Sequence, residues 1–178
     1  MIRSWVVLFL ALVLAVVCAA QAPQSTPSGA DTSQVVGSVV SGVVGTWTLT
    51  AAERLLPDGT RVADYGPSPH GLVIFTADGY YSVQIYRAER PRFSSGDKLK
   101  GTPGEYKEAS LGMSVHFGRY TVDPAKGTIT FHIDRASFPN WDDTTQVRAY
   151  DLKGDELSWK VPPRPDGSIP VTRLRRVR

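Results

Sequence analysis

Gly45-Thr46-Trp47-Thr48-Leu49-Thr50 opens a strand-rich stretch, and Val171-Thr172-Arg173-Leu174-Arg175-Arg176 closes it two residues before the last residue, Arg178. A small β-barrel has to pair its first strand with its last, because closure removes the unpaired sheet edge. A tryptophan on the first strand capped by an arginine from the last makes an effective clasp. The indole buries a large apolar area, and a guanidinium over its face adds roughly 0.5–2 kcal/mol of cation–π attraction. The two ends therefore predict a closed barrel with Trp47 beneath a terminal arginine.

Between them, short β-rich runs alternate with glycine turns. Strands are expected over Leu72–Phe75, Tyr80–Tyr86, Phe117–Val122, Thr128–Asp134, Thr145–Leu152, Leu157–Val161 and Val171–Val177, with a two-residue hairpin at Asp78-Gly79. One helix interrupts them. Thr102-Pro103-Gly104-Glu105 supplies a capping residue, a proline at the first helical position and a glutamate at the third, and Tyr106, Ala109 and Met113 form a stripe at helical spacing. The helix should end near Gly112 and lie as a short amphipathic element over the mouth or flank of the barrel. The fold class is all-β: an antiparallel up-and-down β-barrel of about eight strands with one short helix.

Residues 1–20 read as a secretory signal peptide: a charged Met1-Ile2-Arg3, an apolar run from Trp5 to Val17, and small residues at Cys18-Ala19-Ala20. The run is shorter than a bilayer span of ~20 apolar residues, so membrane contact is expected only through this segment before cleavage after Ala20. Lipid attachment through Cys18 is the weaker alternative, since the preceding Val17 is bulky for that processing. Residues 21–43, rich in Gln, Pro, Ser, Thr, Gly and Val, cannot bury enough surface to offset their ordering entropy and read as a flexible linker. Residues 44–178 form the folded domain. The expected location is exported, periplasmic or secreted.

The 178 residues carry a formal net charge of +3 and one cysteine, Cys18. Cleavage removes that thiol, which excludes a disulfide and a cysteine nucleophile from the mature chain. The positive charge is spread along the chain apart from its end, which argues against nucleic acid as a partner. His70, His116 and His132 sit on different elements without metal-ligand spacing, so no metal is assigned. Nor does any glycine-rich loop lead into a helix, and no cofactor is expected.

Strand parity gives the candidate site. Tyr81, Val83 and Ile85 share a face, as do Ile129, Phe131 and Ile133, and Leu157, Trp159 and Val161; the opposite rows hold Tyr80, Ser82, Gln84 and Tyr86, then Thr130, His132 and Asp134, then Gln146, Arg148 and Tyr150. Either the apolar rows fill the barrel and the polar rows meet water, or the polar rows line a wet cavity. In the second arrangement Arg148 and Tyr150 would grip a carboxylate or phenolate and His132 would serve as acid or base. Trp141, in the loop Ser137-Phe138-Pro139-Asn140-Trp141, either plugs one end of the barrel or closes over a ligand. The candidate ligand-binding residues are Trp47, Tyr80, Tyr86, His132, Trp141, Arg148 and Tyr150, with no catalytic residue assigned.

Gly45-Thr46-Trp47, Gly71 to Tyr80, Arg90-Pro91-Arg92-Phe93, Phe117 to Asp123 and Phe138-Pro139-Asn140-Trp141 resemble the lipocalin-like domain family of bacteria and fungi, over about Val44 to Arg178. The resemblance implies a calycin-type barrel with a central cavity and no shared catalytic residues to carry over. Two departures stand out: the Thr-Asp-Tyr motif of true lipocalins is missing, and Asp143 stands where the family pattern has a glycine. The leading expectation is an exported protein, monomer or dimer, binding a small apolar or aromatic molecule in the barrel. The alternative is a cofactor-independent isomerase, cyclase or dehydratase using acid–base residues in the cavity, and a third is a structural or chaperone module with an apolar groove along an edge strand.

Overall fold

The computed structural model describes residues 42–178; the signal peptide expected over 1–20, and the linker expected over 21–43 up to residue 41, lie outside the described residues. In chain order the elements are β1 (Gly45–Leu55), β2 (Arg61–Ala63), β3 (His70–Phe75), β4 (Tyr80–Tyr86), helix α1 (Pro103–Leu111), β5 (Met113–Asp123), β6 (Thr128–Ala136), a 3-10 turn (Pro139–Trp141), β7 (Thr144–Lys153), β8 (Glu156–Lys160) and β9 (Ile169–Arg176). From β3 onward each strand pairs antiparallel with the next, β1 pairs with β3, and β9 returns to β1, so eight strands close on themselves. The short β2 hangs on the far end of β1, pairing Glu53 with Ala63 and Leu55 with Arg61.

The closure is the expected clasp. Trp47 lies opposite Arg176 in the β1–β9 ladder, and the Arg176 guanidinium sits 4.1 Å over the centroid of the indole. It also donates from Nη1 to Val44 O at 2.7 Å and from Nη2 to Gly42 O at 2.5 Å. Trp47 Nε1 in turn donates to Val43 O at 2.9 Å. Val43 is fully buried with Trp47, so this end of the barrel is sealed by one turn of chain just before β1.

Above the clasp the barrel is packed with rings. Phe75 meets Tyr120 at 4.8 Å and Trp159 at 6.4 Å between centroids, and Phe131 meets Tyr81 at 4.8 Å and Trp159 at 5.6 Å, all edge-to-face. That is the favoured geometry for aromatic quadrupoles. The inward rows of β4, β6 and β8 are the apolar ones. On β7 the inward row is the polar one, with Arg148 buried beside the inward Ile129 of β6, its ladder partner. Both readings of strand parity therefore hold, on different strands.

Two ladders slip by one residue, between Leu49 and Ala51 on β1 and between Phe117 and Gly118 on β5. The first passes the inward face from Leu49 to Ala52. At the second, a Cβ on Gly118 would stand 2.1 Å from the carbonyl oxygen of His132, so only glycine permits the strands to approach.

Two local details differ from expectation. The β3–β4 turn holds three residues, Ala77 to Gly79, because Thr76 N donates to Tyr80 O and Gly79 takes φ 86°; this is the bulged three-residue form of the hairpin. Helix α1 has its capping box, with Thr102 and Glu105 bonding each other's backbone, yet buries no residue. Met113 belongs to β5 and not to the helix stripe. Contacts from outside hold the helix instead: Arg87 pairs with Glu108 at 2.8 Å, and Phe93 packs edge-on against Tyr106 at 5.3 Å.

Candidate functional site

The half of the barrel away from the clasp is not filled by rings. A cavity of about 180 Å³ lies there, walled by Val83 and Ile85 of β4, His116 of β5, Arg148 of β7, Thr172 of β9 and Trp141 of the 3-10 turn. Tyr65, Ser114, Trp141, Asp64 and Arg164 also line a second, outer space of about 280 Å³ that reaches Leu111 of α1 and Phe138. These shared residues form the mouth. Across it Arg164, from the β8–β9 loop, pairs with Asp64, just after β2, at 2.9 Å. Arg54 Nε also lies 2.9 Å from Asp64, close enough for ion pairing but not aligned as a hydrogen bond.

Arg148 dominates the cavity. It is 5% exposed, and its guanidinium lies 4.6 Å over the Phe131 ring and 5.9 Å from that of Trp159. Nη2 donates to Gln146 Oε1 at 2.7 Å and approaches His116 Nε2 at 3.5 Å. Nε has no acceptor among the described residues. Burial lowers its pKa to about 10, still well above neutral pH. It is therefore a cation at neutral pH, without a carboxylate partner among the described residues.

His116 is the neighbour that decides the proton arrangement. Burial, and next the Arg148 charge, push its pKa down to about 3, so the imidazole is neutral. Arginine can only donate, so the His116 nitrogen facing it, Nε2, is the acceptor and Nδ1 carries the hydrogen. Nδ1 then donates to Tyr81 Oη at 2.8 Å, and burial raises the pKa of that phenol. The edge of Trp141 closes over the imidazole, with centroids 6.1 Å apart and planes at 88°.

The residues singled out from the sequence divide. Arg148 and Trp141 meet at the cavity. Tyr150 follows Arg148 on the inward row but is only partly buried against the core. Trp47 is sealed in the clasp at the opposite end. Tyr80 is on the outside, where Arg119 stacks on its ring at 4.3 Å, and Tyr86 meets Arg90 at 5.0 Å on the outer wall. His132 also faces outward, exposed, with Nδ1 3.3 Å from Thr145 Oγ1. The sequence-based pairing of His132 with Arg148 across a cavity is not formed, because on β6 the apolar row Ile129, Phe131 and Ile133 takes the interior.

His116, Tyr81 and Gln146 are the polar groups that sequence reasoning did not assign to the site. Register carries the missing signal. Val83 lies opposite His116 and Phe131 opposite Gln146, and directly opposed residues share a face. Among the described residues no group of three or more His, Cys, Asp or Glu side chains is placed to hold a metal ion.

The sequence pattern of the lipocalin-like domain matches residues 44–175. The chain belongs to the lipocalin-like domain family. Among relatives of this lipocalin-like domain, a 4'-hydroxy-3'-methoxypropiophenone carrier protein of Aspergillus oryzae is 32% identical over 82 residues, covering 43% of this chain and 74% of that protein. A lipocalin-like protein of Bacteroides uniformis shares 14% identity at a TM-score of 0.41, covering 76% of this chain and 99% of that one. A protein from Bacteroides eggerthii shares 16% identity at a TM-score of 0.37, over 75% of this chain and 98% of that one.

Proposed function

We propose that the protein is a binding or carrier protein for a small, largely apolar molecule of about one substituted ring, and that it works outside the cytoplasm. The observation that carries the binding reading is the cavity of about 180 Å³, walled by Val83, Ile85, Val161 and Trp141 and continuous through shared mouth residues with an outer space. An apolar cavity of ~150 Å³ accepts benzene, whereas drug-sized ligands need ~300 Å³ or more. One ring with short substituents fits that range, and long acyl chains do not. The Aspergillus oryzae relative is named as a carrier of a single-ring aryl ketone, which supports a cargo of the same size class. The leader read over residues 1–20 supports export.

An acid–base enzyme is less well supported. The histidine in the cavity, His116, is held neutral with a pKa near 3, well below the range in which imidazole exchanges protons at neutral pH. The test of the binding reading is displacement of an environment-sensitive dye by a panel of single-ring compounds and fatty acids. Single-ring compounds should displace it and long chains should not. A barrel that takes up neither dye nor ring contradicts the proposal.

A further inference from the structure

Within the binding reading, on which this inference rests, the chemistry of the wall narrows the cargo. The cavity offers a donor without a partner. Arg148 lines it, and its Nε has no acceptor among the described residues. Gln146 supplies a neutral amide oxygen to Nη2, and the nearest imidazole is an acceptor of marginal distance at 3.5 Å. The acidic residues that do line the space, Glu53 and Asp64, are engaged at the mouth: Glu53 pairs with Arg61 at 3.1 Å and Arg173 at 3.2 Å, and Asp64 pairs with Arg164 at 2.9 Å. A buried guanidinium is expensive unless it is paired, and the described residues do not supply the pair.

We propose that the cavity is an anion site: its cargo carries a carboxylate or an ionised phenol whose oxygen seats on Arg148, with the ring against Trp141 and the wall of Val83 and Ile85. Such a cargo completes the hydrogen bonding of a group 5% exposed and neutralises a charge already stacked on Phe131 at 4.6 Å. Guanidinium's planar donor fork matches a carboxylate in two bonds and a phenolate in one. The apolar wall accounts for the ring, and Arg148 for the charge.

The test is a fluorescence titration of the full chain with two matched pairs, benzoate against benzamide and 4-nitrophenolate against 4-nitroanisole. The anion of at least one pair should bind about tenfold or more tightly than its neutral partner, as expected for a buried charged hydrogen bond; which pair responds tells carboxylate from phenolate. Arg148→Met should erase that preference. Should that variant fail to fold, Gln146→Glu answers the same question, because it places a carboxylate on Nη2 and neutralises the arginine from within; it should cut the preference for the anion over its neutral partner about tenfold. Equal binding of anion and neutral partner in both pairs overturns the anion site while leaving the carrier reading intact. Failure of all four probes, with dye displacement also absent, overturns the carrier reading and this inference with it.

Discussion

Nη2 of Arg148 stands 3.5 Å from Nε2 of His116, so two basic side chains share one contact inside the barrel and only one of them is charged. The arginine keeps its proton because its intrinsic pKa is so high, and the histidine yields its own. A site built this way sacrifices stability for a fixed buried charge.

Arg148→Met should therefore stabilise the ligand-free protein, by about 1 kcal/mol or more, since replacing an uncompensated buried ion by an apolar chain of similar length relieves its desolvation. Urea midpoints of the two proteins check this. A clear loss of stability would mean that the stacking on Phe131 and the bond to Gln146 outweigh the burial.

The second prediction concerns pH. His116 has a folded pKa of about 3 against an ordinary value of 6.5. Between those values the unfolded chain holds a proton that the folded one refuses, so stability falls as pH drops from 6.5 toward 3, by at most about 1.4 kcal/mol per unit. Above 6.5 this residue adds no pH dependence. In His116→Asn the slope between pH 6.5 and 5 should be shallower than in the wild type; identical slopes would place the imidazole's charge elsewhere.

Arg176→Ala should cost about 2–3 kcal/mol by loss of the two carbonyl bonds and the contact with Trp47, read as a lower urea midpoint with reduced protection of the β1–β9 amides. Arg176→Lys should recover less than half. An ammonium cannot stack on the indole and reach Gly42 O and Val44 O together. Full rescue by lysine would reduce the clasp to simple charge.

The clasp was legible in the sequence because both partners lie at the ends of the domain and barrel closure leaves them little choice of neighbour. The helix cap was legible because Thr102, Pro103 and Glu105 act locally. The interior was not. On β5 the larger apolar residues Val115 and Phe117 share the outer row, Phe117 being 49% exposed, while Ser114, His116 and Gly118 face inward. What sets that parity is the register with β4, fixed across residues 87–112, a connection whose length and helix give no sequence rule for alignment. His132 was misplaced for the matching reason: its polar row resembles that of Arg148, and the opposed pairs Ile129–Arg148 and Phe131–Gln146 decide which row enters.

Asp143 gives the fourth prediction. It takes φ 56°, a left-handed conformation that favours glycine. Asp143→Gly should raise stability by up to about 1 kcal/mol, even though it removes a 2.8 Å ion pair with Arg135, because that pair is exposed. Thermal unfolding of the variant gives the answer. A drop in melting temperature would show that the pair, not the backbone, shapes the turn that carries Trp141.

The most direct test of the account is a crystal structure of the protein soaked with 4-nitrophenolate. The ring should lie between Trp141 and the Val83–Ile85 wall, with its phenolate oxygen within hydrogen-bonding distance of Arg148. A ring bound instead on the outer wall beside Phe117, with Arg148 still lacking an acceptor on Nε, would contradict it.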